Sequence, residues 1–140
     1  MESTNYSQLK FFKFLPGIAW FLFGLVLICL PGKDVPESAL LEIAGFDKLV
    51  HAALFGGIVF FFCMPFRKAT IDRKDKINLF IKITLATCIW GITTEFIQKY
   101  FIPGRQFDLT DWAADSVGAI IAFFVCKKFF LQIPADKGSF

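Results

Sequence analysis

Apolar residues gather in this chain into four stretches, roughly residues 14–30, 49–64, 77–101 and 109–130, separated by short polar connections. Each approaches the ~20 residues that a helix needs to cross the hydrocarbon of a bilayer. With their polar margins the stretches predict helices over about 14–31, 47–65, 77–101 and 108–130 of a single transmembrane domain spanning 1–140. Four such spans with short connections predict an all-α, integral-membrane, antiparallel four-helix bundle with no separate soluble domain.

The polar positions inside these stretches are not scattered. In the third, Thr84, Thr87, Cys88, Gly91, Thr94, Glu95 and Gln98 form a small and polar stripe at helical spacing. Such a stripe is expected to face protein, not lipid. In the fourth, Asp108, Asp111, Asp115, Gly118 and Ala122 recur at spacings of three and four, so they share one face that is acidic in one half and small in the other. Ala52, Ala53, Gly56 and Gly57 offer the second helix a surface for a close neighbour. Phenylalanine runs such as Phe60-Phe61-Phe62 are expected to face lipid, and Trp112 to sit as an anchor near the membrane boundary.

Composition agrees with a membrane protein: of 140 residues 56% are hydrophobic, 20 are phenylalanine, and the mean hydropathy is +0.59. That is more apolar surface than a soluble domain of this size can cover. The first stretch is expected to be a retained helix, since its apolar core is longer than that of a signal peptide and no small-residue cleavage site lies just before Pro31. Ile28 before Cys29 also disfavours lipid attachment there. Cys29, Cys63, Cys88 and Cys126 all lie in apolar stretches at different depths, which predicts small core residues, not a disulfide framework or a zinc site.

Charge gives the bundle a direction. With four crossings, both termini and the 67–76 connection share one side, which holds eleven of the fifteen Lys and Arg residues against four on the other. Acidic residues run the opposite way, so the net is +7 on the first side and −4 on the second. The positive-inside rule places both termini in the cytoplasm. Anionic inner-leaflet lipids account for the basic face, and no nucleic-acid partner is expected.

The candidate chemistry lies at the acidic, outer end. The chain's one histidine, His51, stands four residues after Asp47, while Glu95 and Gln98 sit three apart near the end of the third stretch. Asp111 and Asp115 project from the start of the fourth, and Pro103-Gly104 makes the turn that carries Arg105. His51, Glu95, Asp111 and Asp115 are the candidate catalytic groups, because ionisable side chains in a membrane are costly unless paired or used. A histidine among carboxylates suits general acid or base work, its ordinary pKa being about 6.5. Asp47, Lys48, Gln98, Arg105 and Asp108 are the candidate ligand-binding groups, with Lys48 and Arg105 as cations for a phosphate or carboxylate. The same histidine and carboxylates form a mixed donor set for a divalent cation. No close spacing such as HExxH marks a metal motif, so no cofactor or metal is assigned. No Ser or Cys stands in an activating motif, which disfavours covalent catalysis.

The ordered set Asp47-Lys48-x-x-His51 with Phe55, Glu95-x-x-Gln98, and Arg105-x-x-Asp108-x-x-Asp111-x-x-x-Asp115-x-x-Gly118 resembles the VanZ-like family of bacterial membrane proteins. The likeness covers roughly 46–125 and departs from the family pattern at Asp115, where members often carry Asn, and at Ala122, where a second glycine often stands. It implies a multi-pass protein of the bacterial cytoplasmic membrane, linked to the cell envelope and to low-level teicoplanin resistance. Two readings follow. The site acts on lipid headgroups or lipid-linked cell-wall precursors as an enzyme, or it holds a lipid, a glycan or a lipoglycopeptide as a non-enzymatic shield. Membrane lipids are partners in both; the sequence assigns no oligomeric state.

Overall fold

Two of the helix starts are set by side chains that satisfy otherwise unpaired amides. Asp72 accepts the Lys74 N–H at 3.1 Å, and Asp108 accepts the Thr110 N–H at 2.7 Å and its hydroxyl at 2.6 Å. The computed structural model describes residues 11–30 and 45–131, in four helices: α1 (Leu15–Ile28), α2 (Phe46–Cys63), α3 (Arg73–Phe101) and α4 (Leu109–Phe130). Short 3-10 turns precede α1 at Phe11–Phe14 and follow α2 at Met64–Phe66. No strand occurs among the described residues, and with these turns all four helices are long and apolar enough to cross a membrane. α3 starts a turn before its apolar stretch because the Asp72 cap extends it to Arg73. The connection between α1 and α2, where Leu40, Leu41, Ile43 and Phe46 offer the apolar side of a short interfacial helix or lid, lies outside the described residues except for Phe46, which opens α2.

Contacts fix the relative directions. The Phe14 and Phe66 rings meet at 5.7 Å, so the start of α1 lies by the end of α2. Gln98 donates to the Ile28 carbonyl at 3.1 Å, which puts the last turns of α1 and α3 together. Phe60 meets Phe130 at 5.4 Å, so the later parts of α2 and α4 coincide. α1 and α3 therefore run one way, and α2 and α4 the other.

α2 is the central helix, touching each of the others, and its closest partner is α4. Small residues explain why. The Cβ position of Gly56 is 3.0 Å from the Gly118 carbonyl oxygen, and a Cβ on Gly118 would overlap the Ala52 carbonyl. In lipid, helix association depends on such close backbone approach more than on the hydrophobic effect. On the adjoining face Gly57 receives the Trp20 indole, whose N–H donates to the Leu54 carbonyl at 2.9 Å.

Because α2 is surrounded, its phenylalanines do not simply face lipid, as their run had suggested. Phe60 packs on Phe130, Phe61 on Trp20, and Phe62 lies against Gly17, all half-buried. Cys63 and Cys126 are buried free thiols in the core beside Val59, Phe80 and Ala119, while Cys29 and Cys88 are half-buried. At the Pro103-Gly104 turn the backbone of Gly104 has φ 80°, a conformation that side chains rarely adopt.

Candidate functional site

One end of the bundle is built from the first turns of α2 and α4 and the last turns of α3. The close α2–α4 approach at Ala52, Gly56 and Gly118 brings the preceding polar residues of both helices face to face. His51 Nδ1 lies 2.9 Å from Asp115 Oδ1, and the carboxylate of Asp115 is fully buried. With Asp115 ionised the carboxylate only accepts, so Nδ1 carries the hydrogen and the Nε2 lone pair of a neutral imidazole points away from Asp115. Nε2 stands 4.0 Å from Asp111 Oδ2, one turn nearer the end of α4.

Lys48 joins this pair from the rim. Its ammonium donates to Asp111 Oδ1 at 2.7 Å and also lies 3.4 Å from Asp47 and 3.6 Å from Asp108. Three carboxylates thus share one cation. Asp47 is exposed and Asp108 half-buried, whereas Asp111 is nearly closed off from solvent. The Thr110 hydroxyl, then the Thr110 amide and the Lys48 ammonium, hold the Asp108 carboxyl below its ordinary range.

Glu95 enters from α3, with no exposed surface. Its Oε2 accepts the Asp108 backbone N–H at 2.8 Å, while Oε1 has no hydrogen-bond partner among the described residues. Asp115 Oδ2 is likewise unpartnered, and a Cβ on Gly91 would stand 3.1 Å from it. Gly91, one turn below Glu95, therefore leaves the space into which the Asp115 carboxylate fits. Thr94 beside them donates its hydroxyl to the Gly91 carbonyl at 2.7 Å.

The structure brings together Asp47, Lys48, His51, Glu95, Asp108, Asp111 and Asp115. Two others make no side-chain hydrogen bond or ion pair with this group among the described residues. Gln98 is buried, with its amide donating to the last turn of α1, so it ties helices together. Arg105 sits in the turn before α4 and makes no ion pair among the described residues; its Nε is buried without a partner. The helical stripe of α3 is buried as expected at Thr84, Thr87, Gly91, Thr94, Glu95 and Gln98.

Lys48 was legible as a cation available to the outer carboxylates, but not its bridging of three acidic residues from two segments, and nothing signalled that Trp112 donates its indole N–H to the Cys88 carbonyl at 3.0 Å, a strut between α4 and α3. Both depend on which helices are neighbours. An exact pairing of that kind is not written in local periodicity.

Below the polar end, α1, α2 and α3 line an open apolar groove of about 310 Å³, walled by Phe21, Ile58, Phe62, Ile83 and Trp90 among others. Trp90 is five residues before Glu95 on α3, roughly 7.5 Å along the axis. Comparison with curated proteins and with solved structures finds no match. The model of the VanZ/LLP1 family matches residues 2–131, nearly the whole chain, and the chain belongs to that family.

Proposed function

We propose that this chain is a cell-envelope membrane protein whose polar end works at the outer leaflet on the head of a lipid or a lipid-linked cell-wall precursor. The excess of Lys and Arg toward the opposite end, at Arg67, Lys68, Arg73, Lys74, Lys127 and Lys128, supports this orientation. The observation that carries the reading is the His51–Asp115 pair, buried within the span with no hydrogen bond to Nε2 among the described residues. Asp115 fixes the tautomer, so Nε2 can take a proton from a hydroxyl or water that attacks the head group and return it to the departing oxygen. The Asp115 and Asp111 carboxylates flank the imidazolium that this step creates. Arg105, uncommitted to any carboxylate among the described residues, is the cation for a phosphate. The apolar groove below suits the acyl or prenyl tail of the same molecule, with the head near Glu95.

The test is teicoplanin and vancomycin susceptibility in a host expressing wild type, His51→Ala or Glu95→Gln, with membrane level and thermal stability measured for each. Glu95→Gln is nearly isosteric and still accepts the Asp108 amide. A folded, abundant variant that loses a teicoplanin-selective effect supports the reading. Full retention in both variants defeats it. The alternative, a protein that holds a lipid, glycan or lipoglycopeptide without changing it, draws on the same groove and the free Arg105. It expects co-purified ligand and a graded loss across pocket variants instead of abolition by Glu95→Gln.

A further inference from the structure

Proton transfer at His51 leaves several features of this end unexplained. One donor atom each from His51, Glu95 and Asp111 lie within 4.8 Å of one another, and all three residues are buried. They come from three helices. Nε2 of His51 and Oδ2 of Asp111, 4.0 Å apart, are too distant for a hydrogen bond. They fall inside the ~4.2 Å that can separate two donors each about 2.1 Å from one ion. A tetrahedral set with these bond lengths has donors about 3.4 Å apart, so side-chain torsions must draw the three groups together by about 1 Å when the ion binds.

A second, independent observation points to an occupant. Glu95 is fully buried, yet among the described residues its Oε1 has no hydrogen-bond partner, and the fully buried Asp115 beside it has a second such oxygen at Oδ2. Buried oxygens of this kind are costly unless something satisfies them. Charge gives the same answer. Among the described residues one ammonium, Lys48, reaches the buried carboxylates, at Asp111, and it is shared with Asp47 and Asp108. With Glu95, Asp111 and Asp115 all ionised and His51 neutral, assigning Lys48 wholly to these three leaves two negative charges, which one divalent cation balances.

The arrangement of His51 is that of a ligand. Metal-binding imidazoles usually donate their other ring N–H to a carboxylate, which sets the tautomer and raises the basicity of the ligating nitrogen. Asp115 does this at 2.9 Å. We propose that His51 Nε2, Glu95 and Asp111 bind one first-row divalent cation of the zinc or manganese class, with Asp115 as a positioning residue for His51 and Lys48 steadying Asp111. The imidazole selects against magnesium and calcium, which prefer oxygen alone, and the absence of thiolate from the set selects against softer ions. This rests on the proposed function only in taking this end as the working site. It changes the part of His51, since Nε2 then holds the ion, and the ion's open positions meet water or the phosphate oxygens of a head group.

The experiment uses the full-length chain in detergent, stripped with chelator and titrated with Zn²⁺, Mn²⁺ or Mg²⁺, with bound metal counted by elemental analysis. Co²⁺ provides a spectroscopic copy: a nitrogen and oxygen site gives d–d bands without the thiolate charge-transfer band that Cys63 or Cys126 would add. The expected result is one Zn²⁺ or Mn²⁺ per chain, displacement only by a large excess of Mg²⁺, and at least a hundredfold weaker binding in His51→Ala. Asp115→Asn, which leaves all three ligands in place, should weaken binding about 10–100-fold. A folded wild type that takes up no stoichiometric ion overturns the inference, as does equal uptake by His51→Ala or a thiolate cobalt spectrum. If His51→Ala does not fold, the stoichiometry and cobalt spectrum of the wild type decide. Absent metal with a teicoplanin effect that still needs His51 removes the cation and keeps the proposed function; tight metal with no such effect does the reverse.

Discussion

Gly118→Ala tests whether the α2–α4 contact is what builds the polar end. A methyl group at Gly118 would overlap the Ala52 carbonyl, which is backbone and cannot rotate aside. Restoring ordinary contact requires the two helices to separate. A separation of about 1 Å would carry the His51–Asp115 bond from 2.9 Å beyond hydrogen-bonding range. Overpacking of this type costs about 1–3 kcal/mol. Leaving the buried Asp115 carboxylate without its donor adds about 1–3 kcal/mol more. The combined loss, about 2–6 kcal/mol, corresponds to a fall in Tm on the order of 10 °C for a chain of this length. The assay is thermal unfolding in detergent, with Val117→Leu on the exposed face of α4 as control. Gly118→Ala should also lose whatever function His51 supports. A Tm within about 2 °C of the control, with function intact, would refute the account, because it would mean that the helices can part without disturbing the pair.

Asp108→Ala should lower stability by about 1 kcal/mol through loss of the α4 cap. The folded carboxyl lies below its ordinary value of 3.8, so its contribution is present above that value and is lost as pH falls through the lower folded one. The Tm gap to wild type should thus be flat at neutral pH and close below pH 3.8; a gap that widens on acidification contradicts this. Trp20→Phe keeps the ring but removes the donor to the Leu54 carbonyl, and should cost about 1 kcal/mol in thermal unfolding. An unchanged Tm would show that ring packing alone holds α1.

The four helices were legible because a span must be apolar for ~20 residues and that requirement is local. The inward faces were legible too, since Gly118, Ala122 and the Thr84 to Gln98 stripe follow helical spacing. What spacing could not supply was which faces meet. The acidic face of α4 packs against α2, so that Asp115 reaches His51 while Asp111 is drawn to Lys48. Gln98 shows the limit most plainly. Its position one turn from Glu95 made it a candidate for ligand binding, but helix rotation points its amide at the Ile28 carbonyl. Phe60, Phe61 and Phe62 had the same ambiguity: an apolar run reads alike whether lipid or another helix covers it.

The direction of α2 and α4 also explains why acidic groups collect here. The two helices run parallel and both begin at the polar end, with Asp47 and Asp111 in their first turns. Each N-terminus presents unpaired amides and a partial positive charge, so carboxylates on these turns are favoured by about 0.3–1 kcal/mol apiece. That support fades within one turn. Asp115 lies a further turn down α4, and Glu95 projects from the last turns of α3, where the helix end favours cations instead. The deepest carboxylates therefore receive the least help from the backbone, and they are the ones with unpartnered oxygens. Their burial is sustained only by the groups placed against them: the His51 N–H, the Asp108 amide and, on the inference above, a shared cation. The architecture that lets α2 and α4 touch through glycine thus creates an anionic pocket and, in the same step, a demand for positive charge within it.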